Sequence, residues 1–265
     1  MSVIHSKNVN TQAIDFSKPY PYTNGAGCAI YFKHENKPLH IQTPRMLNLY
    51  GLNVYKNEAT DKISSVTVTL QFNSSTDKIN RVDNFLKKIS RIDNLVMTTA
   101  KNNPKTWLKY HRSIPNTAIK ALFKKSLYYK QLQGGGIDYS VPPTFKVKIP
   151  YYNGKMDFVL LDENNKSMDF DLEYLEKKIE DKCYIKCIFN PVIWIRNDKN
   201  FGITYNVKAM QIIENPDKEK YNTYKTKKQN NTNSTDNPNK IENYFGTSKK
   251  NDSDDDDESD DEQTF

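Results

Sequence analysis

Aromatic and basic side chains share one face of an extended stretch in the C-terminal third of the sequence, Cys183–Ile213. Side chains two residues apart point to the same side of a strand. In the first half of this stretch, one side therefore carries Tyr184, Lys186, Trp194 and Arg196. Such a surface can stack bases on its rings and neutralise phosphates with its cations. The same residue types also occur as core aromatics and as lysines that only face water, so each residue has two interpretations.

The stretch also predicts its own local structure. Alternating β-branched and aromatic residues indicate two long strands, separated by a turn at Asn197–Asn200. The second strand adds Tyr205 and Lys208 as binding candidates.

A shorter hairpin is expected upstream of the long one. Thr144–Pro150 alternates, with Phe145 expected in the core, and Asn153-Gly154 is a strong hairpin-turn signal. Met156–Leu161 is expected to return as the partner strand. The candidates here are Lys146, Lys148, Tyr151 and Tyr152, and a separate aromatic–basic cluster in a predicted loop adds Trp107 and Arg112.

Helical periodicity appears in the middle of the chain. Apolar residues from Val82 to Val96 recur at helical spacing, and Ile114–Leu132 predicts a second helix before the glycine run 134–136. A short helix is expected at Asp171–Glu180, and Ser64–Phe72 predicts a strand.

The order of elements predicts a mainly β fold with α insertions. A helix between the third and fourth strands is typical of the oligonucleotide-binding (OB) five-stranded Greek-key barrel. We expect an irregular arm at 1–25, the OB domain at 26–215 with a helical insertion near 76–133, a disordered basic linker at 216–251 and an acidic tail at 252–265. The last 50 residues contain too few apolar side chains to form a core.

Charge is divided unevenly along the chain. Nine of the 32 acidic residues lie after Asn251 and none of the 39 basic residues does, so the first 251 residues carry a net charge of +16. A strongly basic body indicates a polyanionic partner. The three cysteines form no disulfide framework and are expected to be buried thiols. Neither a signal peptide nor a membrane span is evident, so an intracellular protein is expected.

Carboxylates are dense between Asp157 and Asp171, which raises the alternative of a metal-dependent nuclease. Asp162 is more simply interpreted as a turn residue, and Asp169 or Asp171 is more simply interpreted as a helix cap. We therefore expect neither an enzyme nor a catalytic or metal site, and no cofactor.

The segment Pro142–Glu214 resembles the single-stranded DNA-binding proteins of nucleocytoplasmic large DNA viruses. The resemblance is carried by TFKVKIP, FVLLDENNKSMDF and KCIFNPVIWIRNDKNFGITYNVKAMQII. It implies an OB barrel and non-enzymatic coating of single strands in viral DNA replication, recombination or repair, within the host cytoplasm or nucleus. It is compatible with a homo-oligomer or a cooperative filament on DNA. The alternative is a replication accessory or processivity factor that acts mainly through protein contacts.

Two features of the tail suggest a protein partner such as a DNA polymerase, sliding clamp or helicase. Ile241, Tyr244 and Phe245 resemble the peptide by which replication proteins dock on a sliding clamp, although Pro238 stands where that peptide usually has Gln. Phe265 closes the acidic run, as an aromatic residue does in many replicative single-strand binders. A chance apolar island in the tail is the competing interpretation.

Deleting residues 252–265 is expected to tighten binding to a single strand. Nine carboxylates on a tether compete for the basic body at high effective concentration. The gain should be largest at low salt, where screening is weakest. Titration of oligo-dT at several salt concentrations measures it, and an unchanged or weaker affinity of the truncated chain would remove the competition idea.

Overall fold

The two longest strands are the two halves of the predicted hairpin. In the computed structural model, which describes residues 3–73, 80–110, 113–179 and 182–215, they span Tyr184–Arg196 and Phe201–Ile213. The strands are β1 (Ile4–His5), β2 (Ile14–Phe16), β3 (Tyr20–Pro21), β4 (Gly27–His34), β5 (Lys37–Pro38), β6 (Ile41–Gln42), β7 (Met46–Lys56), β8 (Ile63–Gln71), β9 (Phe123–Lys124), β10 (Leu127–Tyr128), β11 (Gln131–Leu132), β12 (Gly136–Ile137), β13 (Thr144–Ile149), β14 (Tyr151–Tyr152), β15 (Lys155–Met156), β16 (Val159–Leu161), β17 (Ser167–Met168), β18 (Tyr184–Arg196) and β19 (Phe201–Ile213). The helices are α1 (Arg81–Asn102), α2 (Pro104–Leu108), α3 (Asn116–Leu122) and α4 (Leu172–Lys178), with two 3-10 turns at Ser6–Asn8 and Thr11–Ala13.

Five of these strands pair in a ring. β7 pairs with β8, and β8 with β13, both antiparallel. β13 then meets β19 in parallel, β19 pairs antiparallel with β18, and β18 returns to β7. Numbered along the chain, the order is first, second, third, fifth, fourth. With α4 between the third and fourth strands, this is the OB layout, and the predicted mainly β fold with a helical insertion is confirmed.

The short helix α4 starts as its sequence predicts. The side chain of Asp171 accepts a hydrogen bond of 2.7 Å from the backbone N–H of Tyr174, which satisfies one free donor of the first turn. Leu175 and Ile179 are buried beneath it.

Rings fill the interior of the barrel. Phe145, Phe189 and Tyr205 lie on the inward faces of the third, fourth and fifth strands, with centroid separations of 4.6–5.8 Å. From α1, Phe85 packs against Phe145 at 5.9 Å. Burying one such side chain contributes about 1.5–3 kcal/mol, so the apolar stripe of α1 fastens the helical insertion to the barrel.

Two predicted elements are wrong in their extent or pairing. Asn153 and Gly154 do form a tight turn with positive φ, but that turn joins only β14 and β15. The predicted partner strand pairs elsewhere, because Val159–Leu161 lies parallel to β19 and β13 pairs with β8.

The N-terminal residues are also more ordered than an irregular arm. β1 runs parallel to β6, and β2 and β3 both pair with β4. Val9 and Ile14 are buried in the core. These residues therefore extend the sheet of the barrel.

A bridging segment, Phe123–Tyr128, replaces the second half of the predicted helix. α3 ends at Leu122, after which β9 pairs with the start of β19 and β10 with the start of β13. The segment thus lies between the third and fifth strands where they separate. Pairing with two strands at once outweighs helical propensity, which is worth only tenths of a kcal/mol per residue.

A buried polar network fixes the bridging segment. The carboxylate of Asp93 on α1 accepts hydrogen bonds from the backbone N–H and the hydroxyl of Ser126, at 2.9 and 2.5 Å. The Ser126 oxygen lies 2.8 Å from the hydroxyl of Tyr205. Since the Ser126 proton is given to Asp93, Tyr205 donates to Ser126. Burial raises the pKa of Asp93 to about 6, and the bonds from Ser126 lower it without offsetting that effect.

We expect Asp93 to make stability pH-dependent. The pKa of Asp93 in the folded chain, about 6, exceeds its ordinary value of 3.8, so the folded state binds this proton more tightly. The free energy of unfolding should therefore fall as pH rises from about 4 to 6, by roughly 3 kcal/mol from this group. In Asp93→Asn, the free energies of unfolding that denaturant titrations give at pH 4 and pH 7 should differ by correspondingly less than in the native chain. An unchanged difference would mean that Asp93 does not titrate in this window.

Candidate nucleic-acid interface

A row of side chains crosses five strands on the outer face of the sheet. Backbone partners in neighbouring strands present their side chains on the same face. Tyr20 pairs with Ala29, Ala29 with Trp194, Trp194 with Gly202, and Gly202 with Lys124. These five residues are called the Trp194 row.

Gly202 allows the Trp194 indole to lie against the backbone. A Cβ at position 202 would lie only 2.8 Å from Cζ2 of the indole and 3.0 Å from the carbonyl oxygen of Lys124. Any larger residue would displace the ring. The small residues Ala29 and Gly202 lie on either side of the indole, which is half-buried.

Cations surround the exposed part of the row. The guanidinium of Arg196 lies 5.4 Å from the centroid of the Trp194 ring, which is a cation–π distance. Arg196 and Lys124 both lower the pKa of Asp198, after its stronger hydrogen bonds from Asn200. Arg196 and Lys124 therefore lie near the same turn, at the junction of β18 and β19.

A second aromatic–basic group centres on Lys146 of the third barrel strand, with Tyr55 from the first barrel strand and Tyr128 from the bridging segment. The ammonium of Lys146 is 5.8 Å from the ring of Tyr55 and 5.9 Å from that of Tyr128, and both tyrosines are about half exposed. These three residues are called the Lys146 patch. Lys148 lies two residues along the same face, half-buried.

The bridging segment connects the two groups. Its residue Lys124 belongs to the Trp194 row and its residue Tyr128 to the Lys146 patch. Phe123 and Leu127 point into the core, which leaves Lys124 and Tyr128 outside. Four residues of extended chain span at most about 14 Å, so Lys124 of the row and Tyr128 of the patch are neighbours on the outer surface.

Three residues predicted to bind nucleic acid are buried, which corrects the prediction for each of them. Tyr205 is 2% exposed inside the barrel, because its register partner Pro191 faces inward. Tyr184 is 5% exposed, with the guanidinium of Arg45 over its ring at 4.7 Å. Trp107 is 5% exposed on α2 and packs edge-on against Phe16. None of these rings can stack a base without rearrangement of the core.

Other predicted residues lie away from the surface just described or outside the described chain. A bulge between Ile188 and Phe189 adds one residue to β19, and Lys208 lies there, 3.6 Å from the carboxylate of Asp157. Tyr151 and Tyr152 belong to the small β14–β15 hairpin, and Lys186 lines a separate pocket. Arg112, the tail residues Ile241, Tyr244, Phe245 and Phe265, and the predicted disorder of the tail all lie outside the described residues.

Sequence reasoning missed five residues of this surface: Tyr20, Tyr31, Tyr55, Lys124 and Tyr128. Tyr31 lies two residues after Ala29 of the Trp194 row on β4, is 44% exposed and pairs with Val192. Alternation within Gly27–Lys33 places Tyr31 on the face opposite Ile30 and Phe32, so its outward position could have been predicted from the sequence. Tyr20, in a segment expected to be irregular, and Lys124 and Tyr128, inside a predicted helix, gave no such signal.

The carboxylates of the nuclease alternative have local structural roles. The side chain of Asp162 accepts hydrogen bonds from the backbone N–H groups of Asn164 and Lys166, as its turn interpretation predicts. Asp171 caps α4. In the described ranges, no group of three or more His, Cys, Asp or Glu side chains is arranged to hold a metal ion. All three cysteines are buried thiols, as expected.

Two solved structures of bacteriophage proteins are similar to this chain. The single-stranded DNA-binding protein from bacteriophage Enc34 is 12% identical, and the match covers 75% of this chain and 91% of that one, with a TM-score of 0.42. The protein gp2.5, a single-stranded DNA-binding protein encoded by bacteriophage T7, is 13% identical. That match covers 66% of this chain and 86% of that one, with a TM-score of 0.34. No protein-family model and no curated protein matches the sequence. The resemblance to the large DNA viruses' family stays a prediction.

No helix among the described residues has both the length and the apolar composition needed to span a membrane.

We expect the two tryptophans to differ in their access to solvent. In Trp107→Phe the remaining indole is the half-buried Trp194, and in Trp194→Phe it is the buried Trp107. Acrylamide should therefore quench the fluorescence of the first variant more strongly than that of the second. Equal quenching would contradict the position of the indole against Gly202.

Proposed function

We propose that this protein binds single-stranded DNA without reading its sequence, on the surface formed by the Trp194 row and the Lys146 patch. The observation that carries the proposal is the partly exposed indole of Trp194, supported by Gly202 and flanked by Arg196 and Lys124. This combination offers a base a flat ring and offers the adjoining phosphate two cations.

Stacking and charge neutralisation account for the two parts of the binding energy. A base stacked on an aromatic ring contributes about 1–3 kcal/mol and the identity of the base matters little. Lysine and arginine add a salt-dependent part through the release of counterions. The faces of the second and third strands of an OB barrel are a usual location for oligonucleotides, and Lys146 lies on the third strand, where it pairs with Thr69 of the second.

Lack of sequence specificity follows from the residue types. Rings and ammonium groups recognise the faces of bases and the backbone, whereas sequence is read by hydrogen bonds to base edges. The exposed rings Tyr20, Tyr31, Tyr55 and Tyr128 add further stacking positions along the surface.

We propose a non-enzymatic role in which the chain coats and protects single strands during viral DNA replication, recombination or repair. The net charge of +16 before the acidic tail supports a polyanion as the main partner. Ile241, Tyr244, Phe245 and Phe265 are proposed to recruit a protein of the replication machinery, on the strength of their sequence alone.

Trp194→Ala is expected to weaken binding of oligo-dT by about 1–3 kcal/mol with little change in salt dependence, because it removes a stacking ring and no charge. Arg196→Ala should instead reduce the slope of log K against log salt by about 0.7, the value for one phosphate contact on a single strand. Fluorescence anisotropy titrations at four or five salt concentrations measure both effects.

Three controls make the result specific. Trp194→Phe keeps a ring and should recover part of the affinity, and Lys87→Ala removes an exposed charge on α1 and should change binding little. Thermal unfolding of each variant checks the fold. Equal affinity of the native chain for oligo-dT and for a duplex of the same charge would refute a single-strand binder, and titration with oligo-rU tests the choice of DNA over RNA.

A further inference from the structure

A basic pocket lies at the opposite end of β18 from the Trp194 row. It has a volume of about 580 Å³, and five side chains in its lining carry or can take a positive charge: His5, Lys7, Arg45, Arg81 and Lys186. Its described lining contains no carboxylate. Gln42 and Gln211 add amide groups that can donate further hydrogen bonds.

The cations of this pocket take part in none of the ion pairs found among the described residues. Within the described parts of the chain, the four ion pairs use other lysines, and neither Arg45 nor Arg81 takes part in one. The guanidinium of Arg45 is held over the ring of Tyr184 at 4.7 Å, so it is positioned before any ligand arrives. A preorganised cluster of cations with no acid among it favours an anion.

The pocket is distant from the Trp194 row but lies on the same strand face. Lys186 and Trp194 are eight residues apart on β18, which corresponds to about 26 Å. An even separation places both side chains on the outer side. A strand bound at the row can therefore continue towards the pocket along β18.

We propose that this pocket binds backbone phosphates of the same single strand that the Trp194 row holds, so that a long strand occupies both sites and a short one only the row. This inference rests on the proposed function. Guanidinium groups hold phosphates with two parallel hydrogen bonds, which suits Arg45 and Arg81. A docked peptide would need an apolar groove, whereas Pro44 and Ile213 are the only apolar residues in the described lining.

The length of the oligonucleotide separates the two sites. The test uses the full chain, the double variant Arg45→Ala/Arg81→Ala, and the charge-matched control Lys87→Ala/Lys101→Ala from the exposed side of α1. Each is titrated with oligo-dT of about 4 and about 30 nucleotides, since one OB fold covers about 4–16 and the shorter strand cannot reach from the row to the pocket. The pocket variant should bind the short strand as the native chain does and the long strand about tenfold more weakly. Its salt slope on the long strand should fall by about 1.4.

Other outcomes overturn the proposal in distinguishable ways. Equal loss on both lengths would make the pocket part of one short site, and no loss on either would show that it does not hold the strand. The pocket takes an acidic peptide instead if two results coincide. The pocket variant binds the long strand as the native chain does, and deletion of residues 252–265 changes the DNA affinity of the native chain but not that of the pocket variant. Failure of the native chain to bind even the short strand would refute the proposed function itself. Lys7→Ala repeats the test if the double variant unfolds.

Discussion

The contact between Asp93 and Ser126 joins three parts of the molecule that are far apart in sequence. Asp93 belongs to the helical insertion, Ser126 to the bridging segment, and Tyr205, which completes the network, to the fifth barrel strand. The bridging segment has only two residue pairs with each neighbouring strand. The buried side chains Phe123 and Leu127 anchor it to the core, and the bonds from Ser126 to Asp93 fix the backbone between them. Since Lys124 and Tyr128 lie near its two ends, the continuity of the candidate interface depends on this contact.

The network positions the segment at some cost in stability. A buried carboxylate loses its hydration, and two hydrogen bonds return only part of that free energy. An apolar residue at position 93 would avoid the loss, but it would not specify where Ser126 sits. The hydrophobic core, in which Phe85, Phe145 and Phe189 pack together, supplies the cohesion. Cohesion and positioning are thus provided by different groups within one core.

Much of the architecture could be predicted because period and burial agree. Alternation in β18 gives its inward face correctly, and the helical spacing of Val82–Val96 gives α1. Individual binding residues were less predictable, for two physical reasons. Alternation states which residues share a face but not whether another segment covers it, so the buried Tyr184 and the partly exposed Trp194 look alike in the sequence. The bulge opposite Ile188 and Phe189 further shifts the alternation in β19, placing Ala209 outside and Met210 inside.

The Trp194 row is assembled from residues that lie near both ends of the described chain and in its middle. Tyr20 comes from the N-terminal strands, Lys124 from the bridging segment and Trp194 from the hairpin. No unfolded or half-folded chain presents them together. A ligand on the row therefore binds the native state alone and raises its stability by mass action, by about 2.7 kcal/mol at a hundred times its Kd. Occupancy of the row and stability against unfolding are therefore coupled. A nucleic acid bound there, as proposed, would hold the strands of the barrel together.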